Sequence, residues 1–328
     1  MKKSILFTAL AALLVATSCA GSDTSEQSTK QNSTEQTANP KKEAPERKGW
    51  GDDPLYGDIE SVTITNYDVA DKSGEIVRDK IINKKFYRFN QKGDVIEKAR
   101  YNSDGSLRGK DTYKYDSQGK KIEEAEYNSD GSLWSKTIYK YDSQGKKIES
   151  AWYNSYGSLY WKTTAKYDSQ GNEIELAWYN SDGSLDWKTI TKYDSQGNKI
   201  EETQYTSDGS LNWKEIYKYD SQGNKIEWAK NTSDGSLDWK ATFKYDSQGN
   251  MIEATRYNSD GSLVEKGTAK YDSQGNEIET LSYNSDGSLN RKQLYKYDSQ
   301  GNWVEWINYE GESMKPTGMG VQEIVYRK

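Results

Sequence analysis

Histidine is absent from the 328 residues, cysteine occurs once, and proline and phenylalanine occur four times each. Without histidine the chain lacks the commonest metal ligand and the usual acid–base group near neutral pH. No serine-centred nucleophile motif or reactive cysteine replaces it, so a non-catalytic protein with no cofactor and no metal is expected. Apolar residues make up 33% of the chain, low for a globular protein, so a thick dry core is not expected. The aromatic share is 12%, carried by 26 Tyr and 11 Trp, rings with a polar handle that tolerate partial exposure. Lysine and glutamate are interleaved and never form blocks, which argues against nucleic acid as a partner.

The scarce residues are unevenly placed. Pro40, Pro45 and Pro54 precede a 261-residue stretch, Leu55 to Lys315, that has no proline before Pro316. Such a stretch suits a sheet, in which a missing N–H is costly. At the N-terminus, Lys2-Lys3, an apolar run from Ile5 to Val15 and Ala16-Thr17-Ser18 form a secretory signal over residues 1–18, too short to span a bilayer. Its removal would take Lys2 and Lys3 and change the formal charge from −6 to −8. Cys19 directly after the small residues resembles a bacterial lipobox. The resemblance implies cleavage before Cys19 and its lipidation, so the membrane becomes a partner through the lipid. Ala20 in the next position resembles outer-membrane sorting, hence an envelope location. Residues 19–54, rich in Ser, Thr, Gln, Asn, Lys and Glu, read as a disordered tether.

What the rest of the chain has is a repeat. The Asp of Y-D-S-Q-G recurs at 116, 142, 168, 194, 220, 246, 272 and 298, every 26 residues. A second turn, N/T-S-x-G-S-L, lies midway in each unit, as at Asn128–Leu133. Both turns combine an Asp, Asn or Thr that opens a turn with a Gly suited to positive φ, so each unit is two strands of an antiparallel meander. The expected architecture is all-β: N-terminal cap strands over 55–89, repeats over 90–309 and a C-terminal cap strand in 310–328. Accumulated twist predicts an elongated coiled or spiral sheet.

If Tyr127 faces Ser132, Glu123 stands opposite Lys136. The same offset pairs Glu97–Lys110, Glu149–Lys162, Glu175–Lys188, Glu201–Lys214, Glu227–Lys240, Glu253–Lys266 and Glu279–Lys292, all opposite charges. This register puts Ala125, Tyr127, Ile138 and Lys140 on a Glu–Lys ladder face. It puts Leu133, Ile122, Thr137, Tyr139 and most tryptophans on the other. Glu124 and Glu126 also fall on that aromatic face, so a lipid-facing barrel is rejected.

The aromatic face supplies the candidate ligand-binding residues. Trp161 is expected opposite Trp178, Trp213 opposite Lys230, and Trp228 opposite Trp239, which also faces Arg256; Trp152 and Trp187 lie in the same band. The equivalent positions at the ends of the array are Gly109, Ser135, Glu265 and Arg291. Stacked rings with polar neighbours suit sugar rings or cationic groups. The same rings would also serve as the thin core of a curled sheet, and both readings stay open. N-S-D-G-S-L imitates a calcium loop, but the position two before it is Arg100, Glu126, Trp152, Trp178 or Gln204 in successive units, which favours plain turns.

Tyr219-Asp220-Ser221-Gln222-Gly223-Asn224 and its copies resemble the YD repeat of Rhs-type proteins over residues 86–309. The layout of lipobox, tether and strand-rich lead-in is similar to repeat lipoproteins of Bacteroidetes-like bacteria. Trp178 to Leu185 resembles choline- or glucan-binding wall repeats. The near-identical copies and their aromatic face lead to the expectation of a surface protein that binds glycan or another surface protein, without catalysis, by repeated weak contacts. The alternative is a structural spacer or shell with no ligand.

Overall fold

A computed structural model describes residues 55–311 and 313–328. The signal segment 1–18, Cys19 and the tether 19–54 lie outside the described residues. The described chain is twenty strands. The first two are β1 (Ile59–Lys72) and β2 (Glu75–Phe89). The repeats supply β3 (Val95–Tyr101), β4 (Leu107–Tyr115), β5 (Lys121–Asn128), β6 (Leu133–Tyr141), β7 (Lys147–Asn154), β8 (Leu159–Tyr167), β9 (Glu173–Asn180) and β10 (Leu185–Tyr193). They continue with β11 (Lys199–Thr206), β12 (Leu211–Tyr219), β13 (Lys225–Thr232), β14 (Leu237–Tyr245), β15 (Met251–Asn258) and β16 (Leu263–Tyr271). The last are β17 (Glu277–Asn284), β18 (Leu289–Tyr297), β19 (Trp303–Glu310) and β20 (Lys315–Tyr326).

Every strand pairs antiparallel with the next, and β20 pairs antiparallel with β1, through Val62↔Ile324, Ile64↔Gln322 and Asn66↔Gly320 among others. The sheet is therefore a closed barrel, which corrects the expected coiled or spiral sheet. The twist expected to wind the ribbon is compatible with closure, and an even strand count leaves the first and last strands antiparallel. The seam is reinforced at the chain ends. Arg327 pairs with Asp58 and donates to the carbonyls of Phe89 and Asn90, and Asn302 accepts from the Tyr56 N–H. On β20, Gly320 is required by a close approach: a Cβ there would collide with Trp306 Nε1. Pro316 enters β20 as its second residue, beside a bulge, where a missing N–H is tolerated.

The turns follow their chemistry. In the first, Asp116 Oδ1 accepts from the N–H groups of Gln118 and Lys120, and Gly119 takes φ +80°. In the second, Asp130 accepts from the N–H of Ser132, and Gly131 takes φ +82°. Where Tyr156 replaces that Asp, Asn154 Oδ1 accepts from Tyr156 N and Ser158 N instead.

The register differs from the expected one by two residues. Tyr127 pairs with Leu133, a bulge skips residue 134, and Glu123 then faces Ile138 while Ala125 faces Lys136. At the first turn Tyr115 pairs with Lys121, residue 122 is skipped, and Lys114 faces Glu123. An offset of two preserves the faces. The expected Glu–Lys pairs therefore survive as diagonals, and four of them close as ion pairs: Lys162–Glu149, Lys214–Glu201, Lys266–Glu253 and Lys292–Glu279, at 4.0, 3.2, 2.7 and 3.4 Å. The direct partners are the other lysines, Lys114, Lys140, Lys166, Lys192, Lys218, Lys244, Lys270 and Lys296, each 2.6–2.9 Å from its Glu. The bulges also correct two assignments: Leu133, opposite Tyr127, belongs to the ladder face, and Ile122 is an exposed, unpaired bulge residue.

A further tie links successive units. The tyrosine opening each Y-D-S-Q-G turn donates its hydroxyl to the carbonyl twenty residues earlier, as in Tyr115 to Val95, Tyr141 to Lys121 and Tyr297 to Glu277, all at 2.7 Å. Buried apolar side chains form two separate clusters. One joins Trp239, Ala241, Phe243, Ala254 and Ala269; the other joins Leu55, Ile59, Val62, Tyr87, Phe89 and Val95 at the seam.

Two outcomes follow for this architecture. Deleting one whole unit, residues 193–218, leaves an even strand count and should give a folded, narrower barrel. Deleting half a unit, residues 206–218, makes β1 and β20 parallel neighbours and should abolish cooperative unfolding, as read by circular dichroism. For the ladder, Lys244 and Lys266 hold the Glu253 carboxyl below its ordinary value by hydrogen bonds and charge. A carboxyl depressed in the folded state stabilises above its unfolded pKa, and that stabilisation is lost as pH falls through the folded value. Glu253→Gln should therefore lower the melting temperature by no more than about 4 °C at pH 7 and have no effect near about pH 2.

Candidate functional site: an aromatic arc

The two faces of the wall differ in burial. On the ladder face the eight direct lysines keep 62–70% of their side chains exposed, and the deeply buried positions there are small, such as Ala99, Ala125, Ala151 and Ala177. On the ring face large or polar side chains are buried, among them Asp111, Glu215, Tyr217, Trp239, Phe243 and Gln293. Side chains converge on the concave side of a closed sheet, and on that ground we assign the ring face to the interior. Neither face is an apolar band: one carries the Glu–Lys ladder, the other Arg100, Asp111, Glu126, Glu215, Lys225 and Arg256.

The predicted ring residues gather in two groups. On β8, β9 and β10, Trp161, Trp178 and Trp187 form a run, with centroids 4.8 and 5.0 Å apart. Trp187 directly faces Trp178, whereas Trp161 faces Asn180 and Trp152, so the expected Trp161–Trp178 opposition is a diagonal contact. On β12 to β15, Trp228 packs edge-on against Trp239 at 4.8 Å and stacks on Tyr217 at 5.8 Å. Arg256 lies 5.2 Å over Trp239 and Lys230 5.1 Å over Trp213, again as diagonals, since Trp239 faces Lys230 and Trp213 faces Gln204 and Thr232. All eight candidate residues therefore lie on one face, and the offset of two explains why each expected contact persists without direct opposition.

Two rings were not predicted. Trp134 and Tyr160 occupy the residue skipped by the second bulge and are 52% and 63% exposed. Both contact Trp152, at 5.9 and 4.9 Å. In later units that position is Asp186, Asn212, Asp238, Val264 and Asn290. The nearby turn residue Tyr156 is 92% exposed. An aromatic residue next to G-S-L was the available signal, but its exposure depended on the bulge.

Burial shifts titratable groups inside the wall. Burial raises the Glu215 carboxyl, whose Oε2 accepts from the Tyr217 hydroxyl, and burial with nearby Glu215 raises Tyr217. Burial and Asp111 push Tyr87 up to about 12. Arg100 pairs with Asp111, which Lys98 also approaches at 3.8 Å. Among the described residues no group of three or more acidic or sulfur ligands could hold a metal ion.

No protein-family model matches the chain, and no curated protein matches it. Among solved structures, TcdB2-TccC3 superposes with a TM-score of 0.36 and 15% identity, over 76% of this chain and 15% of that one. The TcdB2-TccC3-Cdc42 structure gives 0.34 and 12% identity, over 78% of this chain and 16% of that one. A porin-like protein from Bacteroides uniformis gives 0.38 and 10% identity, over 81% of this chain and 96% of that one. This chain thus spans under a fifth of the TcdB2-TccC3 chains it matches.

The geometry separates packing rings from presented rings. Trp178→Ala, in the middle of the three-ring run, should cost about 2–4 kcal/mol in urea unfolding. Trp134→Ala, on an exposed bulge, should cost under about 0.5 kcal/mol.

Proposed function

We propose that the protein is a lipid-anchored envelope barrel of the YD-repeat lipoprotein kind that binds glycan without catalysis, through the aromatic arc of β6 to β14. Cys19 would carry the lipid, and residues 19–54 would hold the barrel clear of the membrane. The observation that carries the binding reading is the pair of exposed rings Trp134 and Tyr160, both against Trp152, which faces Trp161 and so joins the run of Trp161, Trp178 and Trp187. Sugar rings stack on such faces, and the Asn, Ser and Asp groups of the adjoining turns supply hydrogen bonds. The repeats curve into a ring, so a single ligand would meet a few neighbouring units at once, and multivalency would come from that arc alone.

A shell with no ligand is the second reading. It is favoured by the mutual packing of Trp228, Trp239, Phe243 and Tyr217, which uses ring surface that a ligand would need. A glycan array probed with the full chain distinguishes the two. Binding should fall at least about tenfold when Trp134 and Tyr160 are both changed to Ala, with an unchanged melting temperature. No signal for any glycan, or a signal indifferent to that change, would overturn the glycan reading.

A further inference from the structure

The residue after each D-S-Q-G-x turn is Lys in four units: Lys121, Lys147, Lys199 and Lys225. The amines lie among rings of the neighbouring strands, as Lys121 does at 5.6 and 5.0 Å from Tyr113 and Tyr139. Two of the four have a carboxylate three residues on, Lys121–Glu124 at 3.2 Å and Lys199–Glu202 at 2.9 Å. In the fourth, Trp228 stands where that glutamate would be. Lys225 Nζ is instead enclosed by rings from three strands: Trp228 at 4.9 Å, Phe243 at 5.3 Å and Tyr217 at 5.7 Å.

The groups around this amine do not neutralise it. On β12 Tyr219 is its direct cross-strand partner, and Glu215, the nearby carboxylate, accepts the Tyr217 hydroxyl. On β11 Lys199 adds a like charge, and on β14 Tyr245 donates to the Lys225 carbonyl oxygen, not to the amine. Among the described residues Lys225 has no ion pair. The Glu215 charge and the ring faces favour an ammonium, but burial first and Lys199 second outweigh them, and the amine sits below its ordinary pKa. The side chain is half-buried, so a small reagent can reach it.

We propose that Lys225 is a nucleophilic amine site for small aldehydes and ketones, open-chain aldoses included, which it holds as an imine. A lysine desolvated among apolar groups beside a second cation is the arrangement that favours this chemistry. The neutral amine nitrogen attacks the carbonyl carbon, and the C–O π electrons move to oxygen, which takes a proton. The carbinolamine then expels water as the nitrogen loses its remaining proton and the C=N bond forms. Hydrolysis reverses the step, so no oxidant or reductant is consumed. This site does not depend on the glycan reading.

The test is competitive trapping on the full chain with limiting acetaldehyde and cyanoborohydride at pH 7, which converts the imine to a secondary amine, followed by peptide mapping. Lys225 should be alkylated about five- to tenfold faster than Lys199 and Lys121, because its ammonium form is disfavoured among the rings and no carboxylate pairs with it. Trp228→Glu restores the carboxylate and should bring Lys225 down to the rate of Lys199. Glu202→Gln tests the same cause at a half-exposed position and should raise Lys199 toward Lys225. A Lys225 rate equal to or below that of Lys199, or a Lys199 rate indifferent to Glu202→Gln, would overturn the proposal.

Discussion

The pairing of β20 with β1 is the constraint on which the structure depends. A twenty-stranded open sheet would leave two edges of unpaired N–H and C=O groups, each a template for another chain. Closure removes both edges at once. It matters here because the apolar clusters are small and separate, so backbone pairing and cross-strand contacts hold the wall, not one dry core. The irregular cap strands make the seam. Asn302 ties Tyr56 and Tyr326 together, and Trp306 lies over Gly320 where the two ends meet.

Within the wall, the bulges set the geometry. Each turn carries one, so every unit contributes two skipped residues; Glu149, Glu201, Glu253 and Glu279 each meet one lysine directly and a second diagonally. The tyrosine hydroxyls that reach back twenty residues then lock each unit to its predecessor. These are many modest contacts repeated with one geometry, and their consistency specifies the register more than any single pair does.

The units share a scaffold and differ in what they place on the ring face. Glycine, serine or a charge at one position becomes tryptophan in Trp161, Trp187, Trp213 and Trp239, so the wall is aromatic on one arc and charged on the others. The candidate residues on that arc could be read from the sequence because an error of two residues in register leaves the side chains beyond the bulges on their own faces. Trp134, Tyr160 and the ring-enclosed Lys225 could not be read in the same way. The first two take their exposure from a bulge that shifts pairing by one residue. The third takes its surroundings from Phe243 and Tyr217 on two neighbouring strands.

The sequence by itself determined the strands, both turns, the antiparallel order and the separation of ladder from rings, because these follow from local φ preferences and a period of two. It did not decide whether the meander stays open. Closure depends on the strand count, the accumulated twist and the complementarity of β1 with β20, two segments about 260 residues apart that lie outside the repeat. No local propensity encodes that meeting. Only the tertiary structure brings the ends together, and with them it turns a ribbon with two faces into a wall with an inside and an outside.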